Sequence, residues 1–229
     1  MCYTILAMIN FYKHIPQTNQ PKNPHFAQHG VSVPFRACTA APSGAGKSNQ
    51  LLNLIALMDK TFHKIILCLK SSDEPLYQFM IDKLGNKVSV YEDGEIPALP
   101  TPNKDEQKKK KKELQQTLIV FDDLMYDACP LIKQYYIRGR KFGFSSIYIA
   151  QSFYGIPGDI RKNCQYFFLG RGLLKRDIVS ILSLFPTRLS REEFTNIYEQ
   201  ATAKPLDVLL VDIEHRNLRY NITQKIADL

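Results

Sequence analysis

No C-x-x-C pair occurs in this chain of 229 residues, and its five cysteines (Cys2, Cys38, Cys68, Cys129 and Cys164) are odd in number and widely spaced. Such a set builds neither a disulfide framework nor a thiolate zinc site. Cys38 and Cys68 fall in apolar runs, where a thiol acts as a small hydrophobe, so a reducing compartment is expected. His14, His25, His29, His63 and His215 are equally scattered and read as structural or surface residues. No apolar run reaches the roughly 18 residues that a membrane span needs, and a soluble, intracellular chain is expected. The opening MCYTILAMINFYKHIP lacks a basic leader and a small-residue cleavage site, which argues against a signal peptide. No internal repeat is visible.

What is present is globular composition: 45% hydrophobic and 23% charged residues, enough for one large domain or a domain with a short appendage. The net charge of +8 invites an anionic partner, yet five of the positive charges sit in one run, Lys108 to Lys112, and without them the balance is +3. The basic signal is mostly local.

Residues 1–34 read as an N-terminal extended arm, rich in proline, asparagine and glutamine from position 15, and residues 35–229 as one domain. FRACTAA is a buried strand, and Leu51, Leu52, Ile55 and Met58 then recur at helical spacing. KIILCLK (64–70) suits a strand buried on both faces. DEPLYQFMIDKLG reads as a helix ending at Gly85, and KVSVY (87–91) as a strand. Residues 92–116, with prolines and the lysine run, form an exposed insertion or loop. TLIVFDDL (117–124) is a strand ending in two acids, PLIKQYYIRGRKFG a helix, and SSIYIAQS (145–152) and QYFFLG (165–170) strands. Helical stretches near 174–184 and 190–201 precede a closing C-terminal hairpin, DVLLVDIEHRNLRYNI. The alternation predicts an α/β fold with a mainly parallel central sheet flanked by helices.

APSGAGKS, from Ala41 to Ser48, is a phosphate-loop pattern, G-x-x-x-x-G-K-[ST], with alanine at the first glycine position. Such a loop turns backbone N–H groups inward around phosphate oxygens at a helix N-terminus. The residues concerned are Pro42, Ser43, Gly44, Ala45, Gly46, Lys47, Ser48 and Asn49. Gly44 and Gly46 supply unusual φ angles and close approach. Lys47 would bridge the β- and γ-phosphates of ATP, and Ser48 would hold Mg²⁺. A flexible turn capping a helix is the bland alternative.

Asp122, after four apolar residues, fits the carboxylate that P-loop enzymes place beside Mg²⁺, and Asp123 would then orient or polarise the attacking water. An ordinary strand ending in two turn-forming aspartates would look the same. Gln151 would report the γ-phosphate if its strand lies between those carrying the P-loop and the acids, since an amide both donates and accepts. Taken alone, a glutamine at a strand end is a polar terminus.

Together, APSGAGKS, LIVFDDL and RGRKFGFSSIYIAQSFYGIPGDIRKNCQYFFLG resemble the viral genome-packaging ATPases of poxviruses, other large cytoplasmic DNA viruses and virophages, within the FtsK–HerA group. The most specific block is Q-S-x-x-x-(I/L)-P-x-x-I-R-x-N, filled by Gln151, Ser152, Ile156, Pro157, Ile160, Arg161 and Asn163. The resemblance spans about residues 35–215, and the lysine-rich insertion has no match in it. It implies a RecA/FtsK-like P-loop NTPase of the ASCE type. It further implies ATP and Mg²⁺ as cofactors, double-stranded DNA and capsid proteins as partners, and a homo-oligomeric ring of five or six subunits. The place of work would be the host cytoplasm, at the viral assembly site, or the virion. It also implies an arginine acting across a subunit interface, for which Arg140 is favoured over Arg138. Both, with Arg161, could instead form a basic helix face or touch DNA phosphate.

Lys108, Lys109, Lys110, Lys111 and Lys112 are candidate DNA contacts, each able to displace a counterion from a phosphate, or else a solvated loop. Two other functions stay open on sequence alone. One is a nucleotide or nucleoside kinase, which would need an acceptor pocket. The other is a non-catalytic DNA- or capsid-associated protein with a degenerate loop.

Overall fold

The computed structural model describes residues 21–100, 115–124 and 129–229. Six parallel strands, β1 (Arg36–Ala40), β2 (Lys64–Cys68), β3 (Val88–Tyr91), β4 (Thr117–Asp122), β5 (Phe144–Ala150) and β6 (Tyr166–Gly170), stand in the order β3-β2-β4-β5-β1-β6. Strands β7 (Val208–Asp212), β8 (Asn217–Tyr220) and β9 (Gln224–Asp228) extend the sheet antiparallel from β6.

The apolar runs are continuous because both sheet faces are covered. Along β4, Leu118 and Val120 enter one core while Ile119 and Phe121 enter the other. On the first face lie α2 (Lys47–Leu57) and α3 (Pro75–Leu84), contributing Leu51, Leu54, Tyr77 and Met80. The second face carries α4 (Cys129–Arg138), α5 (Gly158–Arg161), α6 (Lys175–Leu182) and α7 (Arg191–Ala201), which bury Ile132, Tyr135, Ile160, Ile178 and Phe194. Local signals set the helix ends. Pro75 opens α3 and Gly85 closes it at φ +50, while Ser190 and Glu193 form a reciprocal capping box on α7. Among the described residues no helix is long and apolar enough to cross a membrane.

Parallel registers align the functional ends of three strands. Ala40 of β1 lies opposite Ala150 of β5, and Asp122 of β4 opposite Ile149. The segment after β1, the acid pair and Gln151 therefore share one edge of the sheet, and β5 stands between β1 and β4, as the γ-phosphate role of Gln151 requires.

Three details depart from the sequence reading. Strand β5 stops at Ala150, so Gln151 is the first residue beyond it. The closing hairpin gains a third strand, β9, mostly exposed and polar. The β8–β9 turn uses Asn221 and Ile222 at φ +45 and +75, without the glycine that normally marks such a turn. The described end of the arm, residues 21–34, contains one helical turn, α1 (Phe26–His29), rather than only extended chain. It is held by the Arg219 guanidinium, which donates to the carbonyls of His29 (2.6 Å) and Gly30 (3.3 Å) and pairs with buried Asp212. Within the expected insertion, residues 92–100 carry no helix or strand, and 101–114 lie outside the described residues. Cys38, Cys68 and Cys164 are buried free thiols, and burial pushes Cys68 up to about 12.

Candidate active site

Between β1 and α2 the chain turns through Gly44 at φ +75 and Gly46 at φ +87, conformations that side chains with a Cβ rarely adopt. Ala41, at the first position of the loop, is buried, and its methyl faces Gly170 at the end of β6. Lys47 folds back over the loop, donating from Nζ to the carbonyls of Ala41 (3.0 Å) and Pro42 (3.1 Å). A polyphosphate entering the loop would compete for the same ammonium.

A cavity of about 390 Å³ opens at this edge. From the loop it is lined by Ser43, Gly44, Gly46, Lys47, Ser48 and Asn49, and from the neighbouring strands by Asp122, Asp123 and Gln151. Nine of the residues singled out in the sequence, six from the loop and three from the neighbouring strands, meet here. Pro42 and Ala45 do not line it; they hold the turn, with Ala45 N–H donating to the Pro42 carbonyl at 3.3 Å.

The two acids stand in different settings. Burial, opposed by the Tyr77 hydrogen bond and by Lys47, pushes the Asp122 carboxyl up to about 6. The Tyr77 hydroxyl donates to Asp122 Oδ2 and also hydrogen-bonds with Ser48. Burial raises the Tyr77 pKa far above its ordinary range, so the phenol stays a donor. Asp123 is exposed and takes φ +51, which swings it off the strand, and Gln151 Nε2 donates to its Oδ2 at 3.2 Å. One acid is thus positioned beside Ser48 and the other beside open solvent.

Ser48 and Asp122, bridged by one tyrosine, supply a hydroxyl and a carboxylate, the hard oxygen donors that Mg²⁺ prefers. The residues present fit that ion. Among the described residues no cluster of three or more His, Cys, Asp or Glu gathers elsewhere to hold a metal.

Tyr77, Glu74 and Leu76, all from the start of α3, also reach this site and carry no local signal of it. Only the packing of α3 beside β4 brings them in. A second cavity, of about 330 Å³, shares Asp123 and Gln151 and is otherwise largely apolar, with Leu124, Ile132 and Tyr148 on its walls.

Arg140 is not brought to this cavity. It lies exposed before β5 begins, close enough to Arg36 at the start of β1 to lower its pKa, after burial as the larger cause. The seven residues of β5 span roughly 20 Å between that end and the cavity. Arg138 is likewise exposed at the end of α4, and Arg161 sits over the Phe153 ring at 5.4 Å. In the Gln151–Asn163 block, Ile156 and Ile160 are buried and Asn163 accepts from Arg36, so much of that pattern is architecture. Lys108, Lys109, Lys110, Lys111 and Lys112 lie outside the described residues.

Residues 23–213 match the family described as Poxvirus A32 protein. None of the curated proteins matches the chain. Among solved structures it is similar to B204, the DNA-packaging ATPase from Sulfolobus turreted icosahedral virus, with 13% identity, a TM-score of 0.55, and coverage of 90% of this chain and all of that one. It is also similar to the genome packaging NTPase B204 of Sulfolobus turreted icosahedral virus 2 in complex with AMP, at 14% identity and TM-score 0.54, covering 86% and 100%. The cytoplasmic domain of the Thermomonospora curvata type VII secretion ATPase EccC matches at 15% and 0.55, over 86% of this chain and 25% of that one. These likenesses establish the fold, a P-loop ATPase sheet with an antiparallel C-terminal extension.

Proposed function

The chain belongs to the poxvirus A32 protein family, and on that footing we propose that it is an ATPase that drives double-stranded viral DNA into a capsid. The observation that carries this reading is the single cavity joining Lys47, Ser48, Asp122, Asp123 and Gln151.

Backbone N–H groups from Gly44 to Asn49 cradle the triphosphate at the start of α2. Lys47 exchanges its two loop carbonyls for phosphate oxygens. Ser48 and Asp122 would hold Mg²⁺, which when bound neutralises phosphate charge. Asp123 orients and polarises the attacking water, and Gln151, hydrogen-bonded to that acid, is placed to register whether a γ-phosphate is present. A nucleotide-dependent contact at Gln151 biases the chain between two states, which a motor needs.

Arg140 stands at the far end of the sheet from its own cavity, so a catalytic role for it requires a neighbouring subunit. Such a role calls for a homo-oligomeric ring with ATP at the subunit boundary, where the arginine would stabilise charge on the γ-phosphate. Duplex DNA and capsid proteins are the partners of such a motor, and it works at the viral assembly site in the host cytoplasm or in the virion. The lysine run at 108–112 is a candidate DNA contact.

The test is ATP turnover with and without linear duplex DNA, on material of measured oligomeric mass. Turnover that rises with DNA, and is lost in Lys47→Ala with the fold intact, is expected. Turnover that rises instead with nucleoside monophosphates would indicate a kinase, and DNA or capsid binding untouched by Lys47→Ala, without turnover, a non-catalytic protein.

A further inference from the structure

Leu206 combines three features that rarely coincide. It is a bulky residue at φ +69, it is 53% exposed, and its Cδ2 lies 2.5 Å from where a Cβ on Gly46 would be. A positive φ at leucine is strained, and strain persists only where the surroundings impose it. Here they do. Asp207, the next residue, accepts from the Tyr220 hydroxyl and from Asn221 Nδ2, both at 2.8 Å. Val208 N–H donates to Asn221 Oδ1 at 2.9 Å. The turn before β7 is thus clamped by the β8–β9 turn and presents an apolar side chain to solvent beside the phosphate loop.

The sheet order gives that side chain a direction. Asp122, Asp123 and Gln151 all approach the loop from the β4 and β5 side of β1. The γ-phosphate must lie on that side, where water is activated. Leu206 reaches Gly46 from the β7 side, beyond β6. A phosphate chain threading the loop leaves toward this second side with its nucleoside. An exposed leucine there offers what a nucleobase face needs, an apolar surface that is dry once covered.

We infer that Leu206 is the wall against which the nucleobase of the bound nucleotide packs. This rests on the reading of the Gly44–Ser48 turn as a nucleotide loop, and the experiment separates the two. Binding of ATP and of inorganic tripolyphosphate, which has the phosphates and no base, is measured on the full chain and on Leu206→Asn and Leu206→Gly. Asparagine and glycine both accept a positive φ, so neither substitution burdens the fold, and thermal midpoints equal to or above wild type are expected. ATP affinity falls about tenfold in both variants, while tripolyphosphate affinity is unchanged. Unchanged ATP affinity overturns the assignment, as does an equal loss for both ligands, which would make Leu206 a support of the loop. A wild-type chain that binds neither ligand removes the nucleotide-loop reading and this inference with it.

Discussion

The methyl of Ala41 occupies space that only the absence of a side chain at Gly170 provides: a Cβ there would lie 2.7 Å from the Ala41 Cβ. Alanine at the first position of the phosphate loop is thus accommodated by glycine at the end of the adjacent strand, β6. Gly170→Ala should destabilise the chain by about 1–3 kcal/mol through overpacking. Adding Ala41→Gly should restore most of that loss, since it removes the other methyl. Urea denaturation of the two single variants and the double variant measures the coupling, and purely additive effects would contradict the contact.

Asp122 makes stability depend on pH in a direction opposite to that of most paired carboxylates. Burial lifts its pKa from 3.8 to about 6 in the folded chain. Between those values the folded state keeps a proton that the unfolded state has lost, so stability falls as pH rises through this window. The total is on the order of 2–3 kcal/mol. Denaturation in magnesium-free buffer at several pH values between 4 and 7 should show the decline, and Asp122→Asn should flatten it. An equal slope in the variant would assign it to another group.

Tyr77→Phe removes the hydroxyl that favours the charged form of Asp122, and the carboxyl pKa then rises further. If the charged carboxylate is needed for turnover, the acidic limb of the pH–rate profile moves to higher pH. A purely structural tyrosine would lower activity at every pH and leave the limb in place.

Gln151 and Asp123 share one hydrogen bond at the mouth of the cavity, away from the loop carbonyls that hold Lys47. Asp123→Asn is expected to lower kcat by about 10²-fold or more, with Gln151→Ala acting in the same direction. Nucleotide affinity should stay within a few-fold of wild type in both. Stopped-flow binding beside steady-state turnover separates the two quantities, and a parallel loss would place these residues in binding instead.

Arg219 and Asp212 form a buried ion pair that ties the His29–Gly30 backbone to β7 and β8. Arg219→Met leaves the buried Asp212 carboxylate with His215 as its remaining partner, frees the His29 and Gly30 carbonyls, and should cost about 3 kcal/mol. Replacing both, with Asp212→Leu, should cost less than the single change, because no stranded charge remains. Chemical denaturation of both variants decides this.

Local pattern was enough for the six parallel strands and for most of the residues that line the cavity beside the glycine turn. LIVF (118–121) reads as a strand because residues between two covered faces are apolar in succession, and APSGAGKS reads as a loop because glycine readily adopts those turns. β9 was hidden because an exposed edge strand needs no apolar face, and its turn places Asn221 and Ile222 where glycine usually signals a hairpin. Tyr77 and Leu206 were hidden for a different reason. Their roles depend on which side chains α3 and the turn before β7 bring against β4 and Gly46, across separations of 45 and 160 residues. Sequence by itself determined the glycine turn and the polar groups that surround it, since that pattern is written in one short run. Only the tertiary structure decided what stands on either side of it, because neighbours across a sheet are chosen by topology.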